Sequence, residues 1–255
     1  MSTTQEKTLR LLFPQWQGGN NPPYYFGAQL LAWLAPAPLG PVEHVPVAEP
    51  NPAPLPLEDG IIGRNERYDG DLAVLWVDAH PDVMTPQDFQ HAHAMVLGNL
   101  LGEGDGEFAG AVQRPLKPAN VMYAGLQQTL PAETATLRRL GLRSAGPTAL
   151  ATSSEPVLQW LRDIGAKRLA IHLDLDVLDP TLFRSLLFAE PNIAAGTYDG
   201  VAQGKMNMEQ VIRLLADVAA AVDVVGIGIA EHLPWDALAM KNMLARLPLL
   251  GHPQS

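Results

Sequence analysis

The chain has 255 residues, with 17 Lys and Arg against 27 Asp and Glu, a formal net charge of −10, and no cysteine. That acidity gives no electrostatic reason to expect a nucleic-acid or anionic-membrane partner. Without cysteine, disulfides and thiolate metal sites are excluded, so any metal must be held by His, Asp and Glu.

A hydrophobic share of 47% and a charged share of 17% are those of a globular chain. The length suits one α/β domain spanning residues 1–255, with a core large enough to need no staples. Met1–Arg10 is polar and lacks the apolar core of a signal peptide, and no apolar run is long enough to cross a bilayer. A cytoplasmic location is the resulting expectation.

Along the chain, Thr8–Phe13 predicts a first strand, followed by the loop-like PQWQGGNNPPYY. Gly27–Leu34 predicts a short helix, and the Pro-rich stretch from Pro36 to Pro56 an irregular segment. From Leu72 the pattern sharpens. Leu72–Val77 is a continuous apolar run of the kind that forms a strand buried on both faces. Helices are expected at His93–Leu101, Ala132–Leu140 and Glu155–Ile164, the last with Ser153 and Ser154 as candidate caps. Val121–Leu126, Arg168–Leu175 and Asp223–Ile229 predict further strands. Met208–Ala221 places Met208, Val211, Ile212, Leu215, Val218 and Ala219 on one helical face, and Asn207 and Gln210 have capping-box spacing. Strands alternating with helices predict a mainly parallel sheet with helices on both faces, a three-layer α/β/α fold.

Three of these strands end in acidic or His-containing sequence, and parallel sheets bind ligands beyond the carboxyl ends of their strands. The first end carries Asp78, His80 and Asp82, spaced so that extended chain would point all three the same way. The second carries His172, Asp174 and Asp176. Buried carboxylates need a cation or a metal, so Asp174 and Asp176 are read as ligands, His172 as a hydrogen-bonded supporting residue, and Asp179 as a turn cap before Pro180. The third carries Glu231, which could bind a cationic group or cap a loop, and His232, read as structural. A carboxylate-rich set with one imidazole suits Mn²⁺ better than structural zinc. On chemistry alone a two-metal phosphoesterase would explain the first two clusters equally well.

VDAHPDVMTP (Val77–Pro86), HAHAMVLGNLLG (His91–Gly102), HLDLDVLDP (His172–Pro180) and GIGIAEHLP (Gly226–Pro234) resemble, in order and spacing, the motifs of the arginase, agmatinase and formimidoglutamase (ureohydrolase) family. The resemblance implies a dinuclear Mn²⁺ centre whose metal-activated hydroxide cleaves a C–N bond of a guanidino or amidino compound. It further implies Asp78, His80, Asp82, Asp174 and Asp176 as metal ligands, His93 as the proton-shuttling histidine, Glu231 as the carboxylate that holds the guanidinium, and self-association into a homo-oligomer. A carboxylate at the substrate end would repel phosphate, which argues against the phosphoesterase.

The family's Gly-Gly-Asp-His stretch, whose histidine binds the more exposed metal, has no counterpart here. Pro52 to Asp71 holds no histidine, and His44 is the only one upstream. The flanking residues fit the loss of a helix-strand-helix segment near residues 64–66, through a natural join, a gene-model error or an engineered deletion. Its absence leaves a second reading open, a catalytically impaired relative that keeps the fold and at most one metal. Substrate-reading positions depart too. Met84 stands where arginases have Asn, Phe89 where they have Ser, and Gly125–Leu130 lacks the acidic residue that reads an amino group. These departures argue against free L-arginine and for a more apolar pocket.

Overall fold

The computed structural model describes residues 8–14, 22–45, 65 and 67–244. The expected join near residues 64–66 lies largely outside them, as does the later half of the Pro-rich stretch. The chain divides into two compact units, one of residues 54–230 and one of residues 1–53 and 231–255.

In the larger unit, five strands form an all-parallel sheet: β3 (Ala73–Val77), β4 (Val121–Ala124), β5 (Arg143–Ala145), β6 (Arg168–Asp174) and β7 (Asp223–Ala230), in the order β5-β4-β3-β6-β7. The apolar run of β3 is fully buried because both its faces are covered. On one face Leu75, Met122, Leu169 and Ile171 pack with Val157, Trp160 and Leu161 of helix α5 (Glu155–Asp163) and Val211, Leu214 and Val218 of helix α6 (Met208–Ala221). On the other, Leu72, Val74, Trp76 and Tyr123 pack with Leu97 and Leu100 of helix α2 (Val96–Leu100) and Leu137 and Leu140 of helix α4 (Pro131–Leu140). Helices on both faces of a parallel sheet make the three-layer arrangement that the alternation predicts.

Helix α6 has the predicted bounds, and its capping box forms: Gln210 N donates to Asn207 Oδ1 and Asn207 N to Gln210 Oε1, each at 2.9 Å. Its buried face differs from the expected one. Leu214 is buried, whereas Met208 and Ile212 at the margin stand about half exposed. Ser154 occupies the N-cap position of α5 without a side-chain bond to the helix, and the hydroxyl of Ser153 accepts from Glu155 N at 3.1 Å. The predicted helix at His93–Leu101 starts as a 3-10 turn, Ala92–Met95, before α2. Helix α3 (Gly106–Ala111), with Asp105 accepting from Glu107 and Phe108 N, and the short strand β5 add to the reading. Asp179 accepts from Thr181 N at 2.8 Å, the turn-capping role expected of it.

The smaller unit holds β1 (Arg10–Leu12) and β2 (Val42–His44), paired in parallel, with helices α1 (Pro22–Leu34) and α7 (Trp235–Leu244). Helix α1 begins five residues before the expected Gly27, at a Pro pair that the first turn of a helix tolerates. Gly27 lies against the backbone of His232, whose Nδ1 is 2.9 Å from the Gly27 carbonyl oxygen, so His232 is structural. Among the described residues no helix is long and apolar enough to cross a membrane.

Candidate metal centre

The register of β3 on β6 pairs Val77 with Leu173. The next residue on each strand is Asp78 and Asp174, so two carboxylates leave the sheet side by side at its C-terminal edge. Both are buried, as are Asp176 and His172.

The side chains converge by turning, not by the strand period that their spacing suggested. Strand β3 stops at Val77, residues 78–80 bend, and Asp82 takes a left-handed φ of 51°. That conformation is uncommon outside glycine and is tolerated by Asp. Strand β6 stops at Asp174, and Asp176 sits in a 3-10 turn, Leu175–Val177, with its backbone N–H donated to Asp174 Oδ1 at 2.8 Å. His172, Asp174 and Asp176 therefore do not share one strand face, because the turn redirects Asp176 toward His80.

His80 Nδ1 lies 2.9 Å from Asp176 Oδ2 and 3.6 Å from Asp78 Oδ1, and its Nε2 is 2.9 Å from the carbonyl oxygen of Ala202. Asp78 accepts from Trp76 Nε1 at 3.0 Å and from His80 N at 2.6 Å, which fixes both of its oxygens. His172 stacks on Trp76 with ring centroids 3.8 Å apart, and its Nε2 is 3.8 Å from Asp78 Oδ2. Asp78, His80 and Asp176 each offer a ligand atom within 4.8 Å of the others, and so do Asp78, Asp82 and His172. All five predicted ligands thus gather at the ends of β3 and β6, with His172 close enough to join or support them.

The charges respond to this crowding. Burial acts to lower the His80 pKa, but the hydrogen bond and charge of Asp176, with help from Asp82 and the Ala202 carbonyl, push it up to about 9. Burial foremost raises the Asp82 carboxyl, against the pull of His172 and His80. For Asp176 burial acts upward, yet the hydrogen bond and charge of His80 hold the carboxyl below its ordinary range. Desolvated carboxylates and an imidazole converging within ligand distance suit a hard-to-intermediate divalent cation, since oxygen and nitrogen are the only donors and the cation would offset their mutual repulsion.

His93 lies on the 3-10 turn before α2, stacked beside His91 at 5.8 Å, with Phe89 edge-on to it at 6.0 Å. Although the residue is exposed, desolvation of its ring, then the charges of His91 and His80, hold its pKa below the ordinary value. Glu231 directly follows β7 in the chain, has a left-handed φ of 59°, and opens the second segment of the smaller unit.

Several neighbours of the cluster carried no signal in the sequence reading. Trp76 looked like one more apolar residue of β3. Tyr123, whose hydroxyl donates to Pro81 O at 2.9 Å, looked the same in β4. Glu133 is buried, accepts from Leu130 N at 2.7 Å, and acts electrostatically on Asp82, His80 and Tyr123; burial raises its carboxyl pKa. It lies three residues beyond the Gly125–Leu130 segment, so the region is not without an acid. Phe188, with its ring 6.0 Å from that of His80, and Ala202 come from a long irregular segment whose approach to the cluster is non-local.

The arginase family model matches residues 60–245. The chain belongs to the arginase family. Among solved structures, the arginase of Entamoeba histolytica in complex with L-ornithine is 17% identical with a TM-score of 0.67, covering 90% of this chain and 92% of that one. The arginase of Bacillus caldovelox is 16% identical with a TM-score of 0.64, covering 89% and 91%. At such identities the likeness establishes an arginase fold. Human arginase-1 is 31% identical over 136 residues, which are 48% of this chain and 42% of that protein. The chain's match thus spans about two fifths of the length of this curated relative.

Proposed function

We propose that this arginase-family chain is a Mn²⁺-dependent hydrolase that cleaves a C–N bond of a guanidino or amidino compound. The observation that carries the reading is the convergence on Asp78, at the sheet's C-terminal edge, of two sets of ligand atoms, one shared with His80 and Asp176 and one with Asp82 and His172. With Asp174 beside them, these residues would hold the cation. A bound divalent cation supplies water activation near neutral pH and polarises the group under attack.

The chain's own residues supply the rest. Trp76 holds Asp78, with His172 stacked on the indole, and Asp174 orients the turn that carries Asp176. His93, with its pKa held low, is neutral at physiological pH and suited to carrying a proton between bulk water and the reacting nitrogen. Glu231 is the carboxylate assigned to the cationic end of the substrate, where opposite charge gives the strongest hydrogen bonds. Met84 is buried and Phe89 half-exposed, which disfavours a substrate that must be read through polar contacts to a free amino-acid end. The test is release of urea, ammonia or formamide from a panel of guanidino and amidino compounds by the Mn²⁺-loaded chain. Release from none of them would sink the assignment.

A second reading, a relative that keeps the fold and a single metal, is favoured by a different observation. Among the described residues β7 is an edge strand of the five-stranded sheet, and its Ile227 and Ile229 are 48% and 43% exposed. Apolar exposure at a sheet edge is what loss of a neighbouring helix-strand-helix segment would leave. One ion per folded chain, with no turnover, would favour this reading.

A further inference from the structure

We propose that the segment Ala202–Met206 is a positioning strap for His80: the Ala202 carbonyl accepts a hydrogen bond from Nε2–H and thereby leaves Nδ1 as the nitrogen presented to the carboxylate cluster. The inference rests on the metal reading above and adds to it a device that no side chain of the motifs supplies.

Three observations carry it. First, the two ring nitrogens of His80 face different partners. Nε2 is 2.9 Å from Ala202 O, while Nδ1 is 2.9 Å from Asp176 Oδ2 and 3.6 Å from Asp78 Oδ1. A carbonyl can only accept, so Nε2 must carry a proton, and when a cation replaces the second proton, which Nδ1 shares with Asp176, the neutral ring presents its lone pair on Nδ1. Second, the strap is fastened to the segment that carries Asp176. Met206 N donates to Val177 O at 3.1 Å, Asp179 N donates to Met206 O at 2.8 Å, and Met206 is fully buried. Third, the strap runs so close that a side chain would not fit. A Cβ on Gly204 would fall 2.1 Å from Asp176 O and 2.3 Å from Val177 O, contacts that real Cβ atoms do not make. Ala202 is 122 residues from His80, so the fastening at Met206 and the close passage at Gly204 are what bring its carbonyl to the ring.

A carbonyl behind a ligating histidine fixes both tautomer and ring orientation, and losing such a partner costs metal affinity roughly 10–100-fold. The Ala202 carbonyl touches no substrate; it acts through His80, and its effect is on which nitrogen binds and how tightly.

The test uses the full chain with isotope-labelled histidine and carbonyl carbon, first metal-free and then loaded with NMR-active cadmium, a closed-shell substitute for paramagnetic Mn²⁺. The expected result is a slowly exchanging His80 Nε2–H with a coupling across the hydrogen bond to the Ala202 carbonyl carbon, and a cadmium–nitrogen coupling on Nδ1 in the loaded chain. Gly204→Ala should lift the strap, speed exchange of the Nε2 proton, and weaken cadmium binding about 10–100-fold. The unsubstituted chain decides the matter if that variant does not fold. Cadmium coupled to Nε2, or no coupling to the Ala202 carbon in either state, would overturn the strap while leaving the metal reading intact. A folded chain that binds no cadmium at all would overturn both.

Discussion

Trp76 Nε1 donates a 3.0 Å hydrogen bond to Asp78 Oδ2, two residues along the chain, so the largest buried side chain of β3 holds the carboxylate at that strand's own end. The indole spans the step from core to site: one end is packed among Leu72, Val74 and Tyr123, and the other fixes a candidate ligand. Trp76→Phe keeps an aromatic ring and removes the donor. Loss of a hydrogen bond to a buried charged group should cost about 1.5–3 kcal/mol in a denaturant melt, and Mn²⁺ affinity should fall roughly 10–100-fold. A variant that melts lower but binds Mn²⁺ as tightly as the parent would show that Trp76 serves packing alone.

His93 yields a pH prediction. Its pKa is held below 6.5, mainly by desolvation and then by the charges of His91 and His80, so the neutral form prevails at pH 7 and the charged form accumulates only in acid. Turnover that needs neutral His93 should therefore hold through neutrality and fall as pH drops through a midpoint below 6.5. His93→Ala should lose about 10²–10⁴-fold in kcat together with that acid limb. An unchanged pH–rate profile in the variant would remove His93 from the mechanism.

The site's outline was legible in the sequence because its carriers are local. The apolar run of β3 followed by Asp-Ala-His-Pro-Asp, and that of β6 followed by Leu-Asp, each say where a strand stops and what stands at its end. Parallel register then brings the two ends together. The turns that aim Asp82 and Asp176 were not legible, since the spacing of these residues also fits continued strand. Nor was the Ala202 contact, because a backbone carbonyl has no sequence signature. Helix α7 and strand β2 escape where the periodic pattern is weak, and Met208 and Ile212 of α6 look like core by spacing, whereas among the described residues the sheet ends at β7 and both stand about half exposed.

The exposed edge gives a prediction about solution behaviour. Ile227→Thr with Ile229→Thr keeps two β-branched residues in β7 and removes apolar surface from solvent. Because both residues stand nearly half exposed, stability should change by no more than about 0.5 kcal/mol per site, and light scattering at raised concentration should fall. Ile171→Thr, at a buried position of β6 paired with Ile227, should by contrast lower the melting temperature by several degrees. Equal effects of the edge and core changes would mean that the edge is covered in solution.

Helix α6 closes one face of the sheet and follows directly on the strap. Asn207→Ala removes the acceptor for Gln210 N and should cost about 1 kcal/mol in an equilibrium melt. A wild-type melt from this variant would mean that the first turn of α6 contributes little to holding Met206 in place.

The most direct test of the central claim is a count of Mn²⁺ per folded chain by elemental analysis after dialysis, with circular dichroism on the same sample and Asp176→Asn in parallel. The account predicts at least one ion held by the parent chain and affinity reduced by more than about 100-fold in the variant, since a direct ligand should matter more than the outer partners that cost 10–100-fold. A folded parent chain that retains no Mn²⁺, or a variant that holds it equally well, would contradict the assignment of this cluster as a metal centre.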